Sequence, residues 1–120
     1  MKVVFDTNIL IDYLVGVEAA RRELALYARP LISPITWIEV MVGAREAEEP
    51  QLRAFLGRFD QVPIDDRIAE TAVVIRRTYR IRIPDAVIWA SARSADALLV
   101  TRNTRDFPAE APDIRFPYAL

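Results

Sequence analysis

The stretch VVFDTNIL, Val3 to Leu10, sets three apolar residues in front of an acid, and an apolar helical pattern begins directly after it. Val3 to Phe5 reads as a short buried strand. The helix that follows runs from about Asn8 to Leu14, with Ile9, Leu10, Tyr13 and Leu14 on one side, and Gly16 ends it. Asp6 stands at the junction. It can be a local device that closes the strand and caps the helix. It can equally be one member of a charged site whose other members lie far along the chain.

The same strand–helix grammar continues outward. Glu18 to Ala28 reads as a helix with Leu24 and Tyr27 inward, and PLIS (Pro30 to Ser33) as a short strand. Pro34 and Thr36 open a helix to about Val42, which Gly43 ends. A helix over Glu48 to Phe59 and an edge strand at QVPI (Gln61 to Ile64) follow, the latter demoted to the edge by Pro63. In IDDRIAETAVVIRRTY, Ile68, Ala72, Ile75 and Tyr79 recur at helical spacing behind an Asp65 N-cap. IPDAVIWASARSA gives another helix, with Pro84 in its first turn. ALLVT (Ala97 to Thr101) is a buried strand, TRNTRDF a turn-rich loop, and Ile114 to Phe116 a last short strand. Strands alternating with helices predict an α/β sandwich with a mainly parallel sheet.

Composition limits the chemistry. The chain has 120 residues, enough for one domain with a core. It holds no cysteine and no histidine, which excludes disulfides, thiolate metal sites and an imidazole base. Any reaction must use carboxylates, hydroxyls, amides, Tyr, Lys or Arg. No apolar run approaches a membrane span, and an acid interrupts the start where a secretory signal would be apolar, so a cytoplasmic location is expected. Of 16 basic residues only Lys2 is lysine, and the net charge is -1. Arginine suits bidentate phosphate binding. The clusters Arg76-Arg77 and Arg80/Arg82 can therefore be a local phosphate-binding patch, or simply solvated faces.

Four acids fall at predicted strand ends or at the helix starts that follow them: Asp6, Glu39, Asp85 and Asp106. Each has a structural explanation. Asp6 can cap a helix, Thr36 to Glu39 matches a capping box, Asp85 can complement a helix dipole, and Asp106 can cap a turn. Each such role contributes about 1 kcal/mol or less. The predicted topology, however, brings all four to one edge of the sheet, where ligands of α/β folds bind. Two unit charges about 4 Å apart repel by roughly 4 kcal/mol at an effective dielectric of about 20, more than capping offsets. A divalent cation relieves that repulsion, as does protonation. Oxygen ligands without His or Cys point to Mg²⁺ or Mn²⁺, and such a centre suits attack of water on a phosphodiester.

FDTNILIDYL, Thr36-Trp37-Ile38-Glu39-Val40, IPDAVIWASA and LVTRNTRDF occur in the order and rough spacing of PIN-domain ribonucleases. The length and the ending FPYAL resemble the VapC toxins of type II toxin–antitoxin pairs, and the resemblance covers nearly the whole chain. It implies a single PIN-like domain over residues 1–120, with a parallel α/β/α sandwich. It implies an Mg²⁺- or Mn²⁺-dependent endoribonuclease with an RNA substrate, a cognate antitoxin and a homodimer. No direct DNA binding is expected of this chain alone. By position, Asp6 and Asp85 resemble the principal metal ligands and Glu39 the second invariant acid. Some members carry Asp where this chain has Asn103, and here the acid comes at Asp106. Thr7, Asn8, Thr101 and Asn103 resemble supporting polar positions that hold the acids or bound water.

Other readings place an acid after a first strand. A phosphotransfer domain needs a lysine near the phosphoryl group, and Lys2 lies near the wrong end of its strand. A housekeeping RNA-processing nuclease, or a PIN-like binding module without catalysis, would share the fold. Trp37 and Trp89 can stack on bases but are read first as packing residues.

Overall fold

A computed structural model describes residues 1–120. Its strands are β1 (Val3–Phe5), β2 (Leu31–Ile32), β3 (Asp60–Gln61), β4 (Leu98–Val100) and β5 (Ile114–Arg115). They form one five-stranded sheet in the order β3-β2-β1-β4-β5, and every neighbouring pair is parallel. The helices are α1 (Thr7–Leu14), α2 (Glu18–Ala25), α3 (Pro34–Val42), α4 (Glu49–Leu56), α5 (Asp66–Tyr79) and α6 (Ile83–Ser94).

The pleat of β1 divides the core. Successive strand side chains point to opposite faces, and all three residues of β1 are buried. Val4 joins Leu99 and the apolar faces of α5 and α6, among them Ile68, Ile75, Ile88 and Trp89. Val3 and Phe5 join Val100 and Ile32 on the other face, with Ile9, Leu10, Phe55 and Leu56 from α1 and α4. Helices thus cover both faces, as an all-parallel sheet requires. The result is the expected α/β/α sandwich.

The chain winds outward from β1 through β2 to β3, then returns to lay β4 on the other side of β1. The reversal opens a crevice at the carboxyl ends of β1 and β4, the place where open α/β sheets bind ligands. The register Phe5↔Val100 puts Asp6 and Thr101 next to each other as the two strands end.

Several local expectations shift. α2 stops at Ala25 rather than Ala28. The Glu48 to Phe59 segment becomes a 3₁₀ turn (Glu46–Glu48) followed by the shorter α4. β3 lies at Asp60–Gln61, at the sheet edge as expected, with Pro63 just beyond it. The capping box at Thr36 to Glu39 does not form. Ser33 is the N-cap of α3, accepting from the Ile35 amide at 3.1 Å, and Pro34 takes the first turn. Thr36 and Glu39 are therefore inside the helix, free to point at the crevice. Trp89 packs fully buried and donates Nε1–H to Asp113 at 2.9 Å. Trp37 is partly buried, with Arg53 over its ring. No helix is long and apolar enough to cross a membrane.

Candidate active site

Asp6 serves as the local capping device and also lies in the acidic crevice, within the charge fields of Asp85 and Glu39. Its amide still follows the sheet, donating to the Val100 carbonyl at 2.9 Å. Its Oδ1 accepts from the Thr7 amide at 2.8 Å and so caps α1. Oδ2 accepts from the Thr101 hydroxyl at 2.8 Å and from Asn8 Nδ2 at 3.2 Å. The carboxylate is only 4% exposed. Burial pushes it up to about 6; the charges of Asp85 and Glu39 add to the rise, and the bonds from Thr101 and Thr7 oppose it.

The supporting polar residues hold one another as well as the acid. Thr101 Oγ1 also accepts from Asn8 Nδ2 and from the Asn103 amide, each at 3.1 Å. With its single proton given to Asp6, this hydroxyl is fully used. Thr7 turns away from Asp6. Its hydroxyl donates to Glu39 Oε1 at 2.6 Å and is hydrogen-bonded to Thr36 at 3.0 Å. Glu39 is exposed.

Asp85 enters from the first turn of α6, placed by Pro84. It is buried, and its Oδ2 has no hydrogen-bond partner. Arg82 Nε stands 3.6 Å from that oxygen, an ion pair beyond hydrogen-bond reach. Burial raises the Asp85 carboxyl above the usual carboxylate range; Asp106 and Glu39 add to this, and Arg82 opposes it. A buried carboxylate oxygen that accepts no hydrogen bond costs free energy, and the long contact to Arg82 offsets this only in part.

Asn103 and Asp106 act together. Asn103 Nδ2 donates to Asp106 Oδ2 at 2.9 Å, and the Asp106 amide donates to Asn103 Oδ1 at 3.2 Å. The side-chain amide of Asn103 is thereby committed to holding Asp106, and Asp106 is the group that reaches Asp85 with its charge. The four acids share one electrostatic field, two buried and two exposed. No three of them stand close enough to enclose an ion unaided.

One element of the site escaped the sequence reading. Asp12, on α1, is 3% exposed and accepts from Arg102 Nε at 2.5 Å, from Arg102 Nη2 at 3.0 Å and from the Tyr118 hydroxyl at 2.8 Å. Arg102 follows Thr101 directly, and its amide donates to Asn8 Oδ1 at 3.3 Å. This clamp fixes the corner that carries Thr101 and Asn103. Glu23, Arg115 and Tyr27 repeat the arrangement beside it. The available signal was Asp12 itself, an acid among apolar helix residues that must find a partner once buried.

Comparison with known proteins agrees with this geometry. The PIN domain family matches residues 3–111. Ribonuclease VapC19 of Mycobacterium tuberculosis (strain ATCC 25618 / H37Rv) is 34% identical over 122 residues, covering 94% of this chain and 97% of its own. The tRNA(fMet)-specific endonuclease VapC of Shigella flexneri is 29% identical, covering 89% of this chain and 90% of its own. A solved toxin–antitoxin complex from Klebsiella pneumoniae contains a chain that superposes with a TM-score of 0.93 at 42% identity, over 98% of this chain and 99% of that one. The chain belongs to the PIN-domain family and, within it, to the VapC-type ribonucleases.

Proposed function

We propose that this chain is the toxin of a toxin–antitoxin pair, an endoribonuclease acting in the cytoplasm that hydrolyses RNA phosphodiester bonds with Mg²⁺ or Mn²⁺. The observation that carries the reading is the pair Asp6 and Asp85. Both are buried at the crevice, both resist ionisation, and one oxygen of Asp85 accepts no hydrogen bond. That donor set fits a hard cation, with water completing the shell because no three acids enclose it. The cation, when bound, would lower the pKa of water and offset negative charge on the phosphate.

The chain's own residues do the rest. Thr101, Asn8 and the Thr7 amide fix both oxygens of Asp6, so its orientation costs nothing at the moment of reaction. Glu39 has Oε1 engaged by Thr7, which leaves Oε2 to take a proton from the attacking water. Asp106, held by Asn103, orients water or a further ion. In the reaction the water oxygen bonds to phosphorus, one ester P–O bond breaks, and the departing oxygen takes a proton from solvent. Single-stranded or loop RNA is the suitable substrate, because its bases are accessible.

A cognate antitoxin is the proposed partner, supported by the solved complex from Klebsiella pneumoniae. A groove of about 450 Å³ lies between α1, α3 and α4, with Ile11, Leu14, Val15, Val40 and Leu52 along it and Glu39 in its wall. An apolar antitoxin segment seated there would end beside the acids. A homodimer completes the proposal. The direct test is incubation of antitoxin-free protein with tRNA and with unstructured RNA, in Mg²⁺ or Mn²⁺ and in EDTA. Cleavage with metal alone, lost in Asp6→Asn and in Asp85→Asn, is expected. Absence of cleavage on every RNA would favour a binding module.

A further inference from the structure

The arginines at the end of α5 make no ion pair within the fold. Arg76, Arg77 and Arg80 are exposed, whereas Arg102 and Arg115 are each bidentate to a buried acid. Arg76 and Arg80 lie four residues apart, where like charges on a helix repel. One positive charge would complement the helix dipole; three exceed that need. Arg80 also has φ +59, the left-handed conformation that caps a helix and that glycine adopts without cost. Keeping an arginine there carries a backbone cost that glycine would avoid, and adds a third positive charge to those of Arg76 and Arg77.

The corner leads straight into the site. After Arg80 comes buried Ile81, then Arg82, whose Nε is 3.6 Å from Asp85 Oδ2. Arg82 is the single positive charge paired with any of the four acids. Its side chain is 76% exposed, so it can exchange that contact for another anion.

Resting on the ribonuclease reading, we propose that Arg76, Arg77, Arg80 and Arg82 form a ledge that receives the backbone of single-stranded RNA on one side of the acids. Arg82 takes the phosphate nearest the cut, and the others take the phosphates that follow. Guanidinium forks suit phosphate oxygens bidentately. The ledge sets which flank of the RNA is held, without reading bases.

The test is salt-dependent binding of a labelled single-stranded RNA oligonucleotide in EDTA, where metal-assisted cleavage is absent. Each lost phosphate contact should reduce the slope of log K against log salt by about 0.7. The variant carrying Arg76→Gln, Arg77→Gln and Arg80→Gln should lose about 2 from the slope and bind at least tenfold more weakly at low salt. Arg22→Gln, on α2, should match wild type. Arg80→Gly separates function from structure: it should keep or raise the melting temperature and still lower the slope. The ledge is overturned if wild type cleaves RNA with metal while the triple variant and Arg80→Gly keep its full slope. Wild type that neither binds nor cleaves RNA would instead remove the ribonuclease reading, and the ledge with it. An acidic protein partner as occupant is indicated by an unchanged RNA slope with weakened antitoxin binding, which also overturns the ledge.

Discussion

The Thr101 hydroxyl donates to Asp6 Oδ2 at 2.8 Å, joining the carboxyl end of β4 to that of β1 across residues far apart in sequence. Thr101 is fully buried, so neither partner can substitute water freely. Thr101→Val keeps the shape and removes the proton. It leaves Asp6 short of a donor and the Asn8 and Asn103 donors short of an acceptor. The expected cost is about 2 kcal/mol at neutral pH, read from denaturant melts. The same change removes the largest force lowering the Asp6 pKa, so the pH at which metal dependence appears should move upward.

Asp6→Asn should change how stability depends on pH. The Asp6 carboxyl is raised by burial from 3.8 to about 6 in the fold. An acid with a raised folded pKa contributes most below its unfolded value, and that contribution is lost as pH rises through the folded one. Metal-free wild type should therefore lose up to about 3 kcal/mol between about pH 4 and pH 7 from this group. Asn carries no charge, so the decline should flatten and the variant should be more stable than wild type in EDTA at neutral pH. Melts across that range check it; a variant less stable than wild type at pH 7 would make Asp6 a capping residue only.

Asp12 and Glu23 act in the opposite sense. Burial works against their ionisation, but Arg102 with Tyr118, and Arg115 with Tyr27, outweigh it and hold both acids below the usual range. Their contributions are present above the unfolded carboxyl value and are lost as pH falls through the lower folded one. Tyr118→Phe should cost about 1 kcal/mol. Asp12→Asn, which weakens the bonds to a partly exposed Arg102, should cost more, about 2 kcal/mol. Because the clamp fixes the Thr101 corner, Tyr118→Phe should lower kcat with little change in KM. An unchanged kcat would confine the clamp to stability.

Mg²⁺ or Mn²⁺ should raise the melting temperature by mass action, and the rise should grow with pH. A proton on Asp6 competes with the metal, and it leaves as pH passes about 6. A thermal shift that is constant from pH 5 to about pH 8, contrary to this competition, would place the ion elsewhere.

Local signals in the chain were enough for the layered fold. Apolar runs of strand length, the Asp65 cap and the glycine and proline breaks each depend on neighbouring residues. The shared edge of Asp6 and Asp85 is legible because a parallel topology fixes which ends of the strands lie together. The capping-box reading of Glu39 failed because Ser33, followed by Pro34, captured the helix start three residues earlier. Strands of two residues leave little pattern, so the apolar runs predict β2, β3 and β5 one or two residues longer than they are. The clamp was out of reach for another reason. Asp12 meets Arg102 and Tyr118 across 90 and 106 residues, and no periodicity links them. The two hydrogen bonds that tie Asn103 to Asp106 likewise depend on the folded shape of their loop.

The central claim is that Asp6 and Asp85 together hold a divalent cation. Titration of Mn²⁺ into metal-free protein, followed by calorimetry or by loss of the free-ion electron paramagnetic resonance signal, measures this without RNA. Wild type should bind, and Asp6→Asn and Asp85→Asn should each weaken binding at least about tenfold, while both variants stay folded. Binding of Mn²⁺ by both variants as tightly as by wild type would contradict the account.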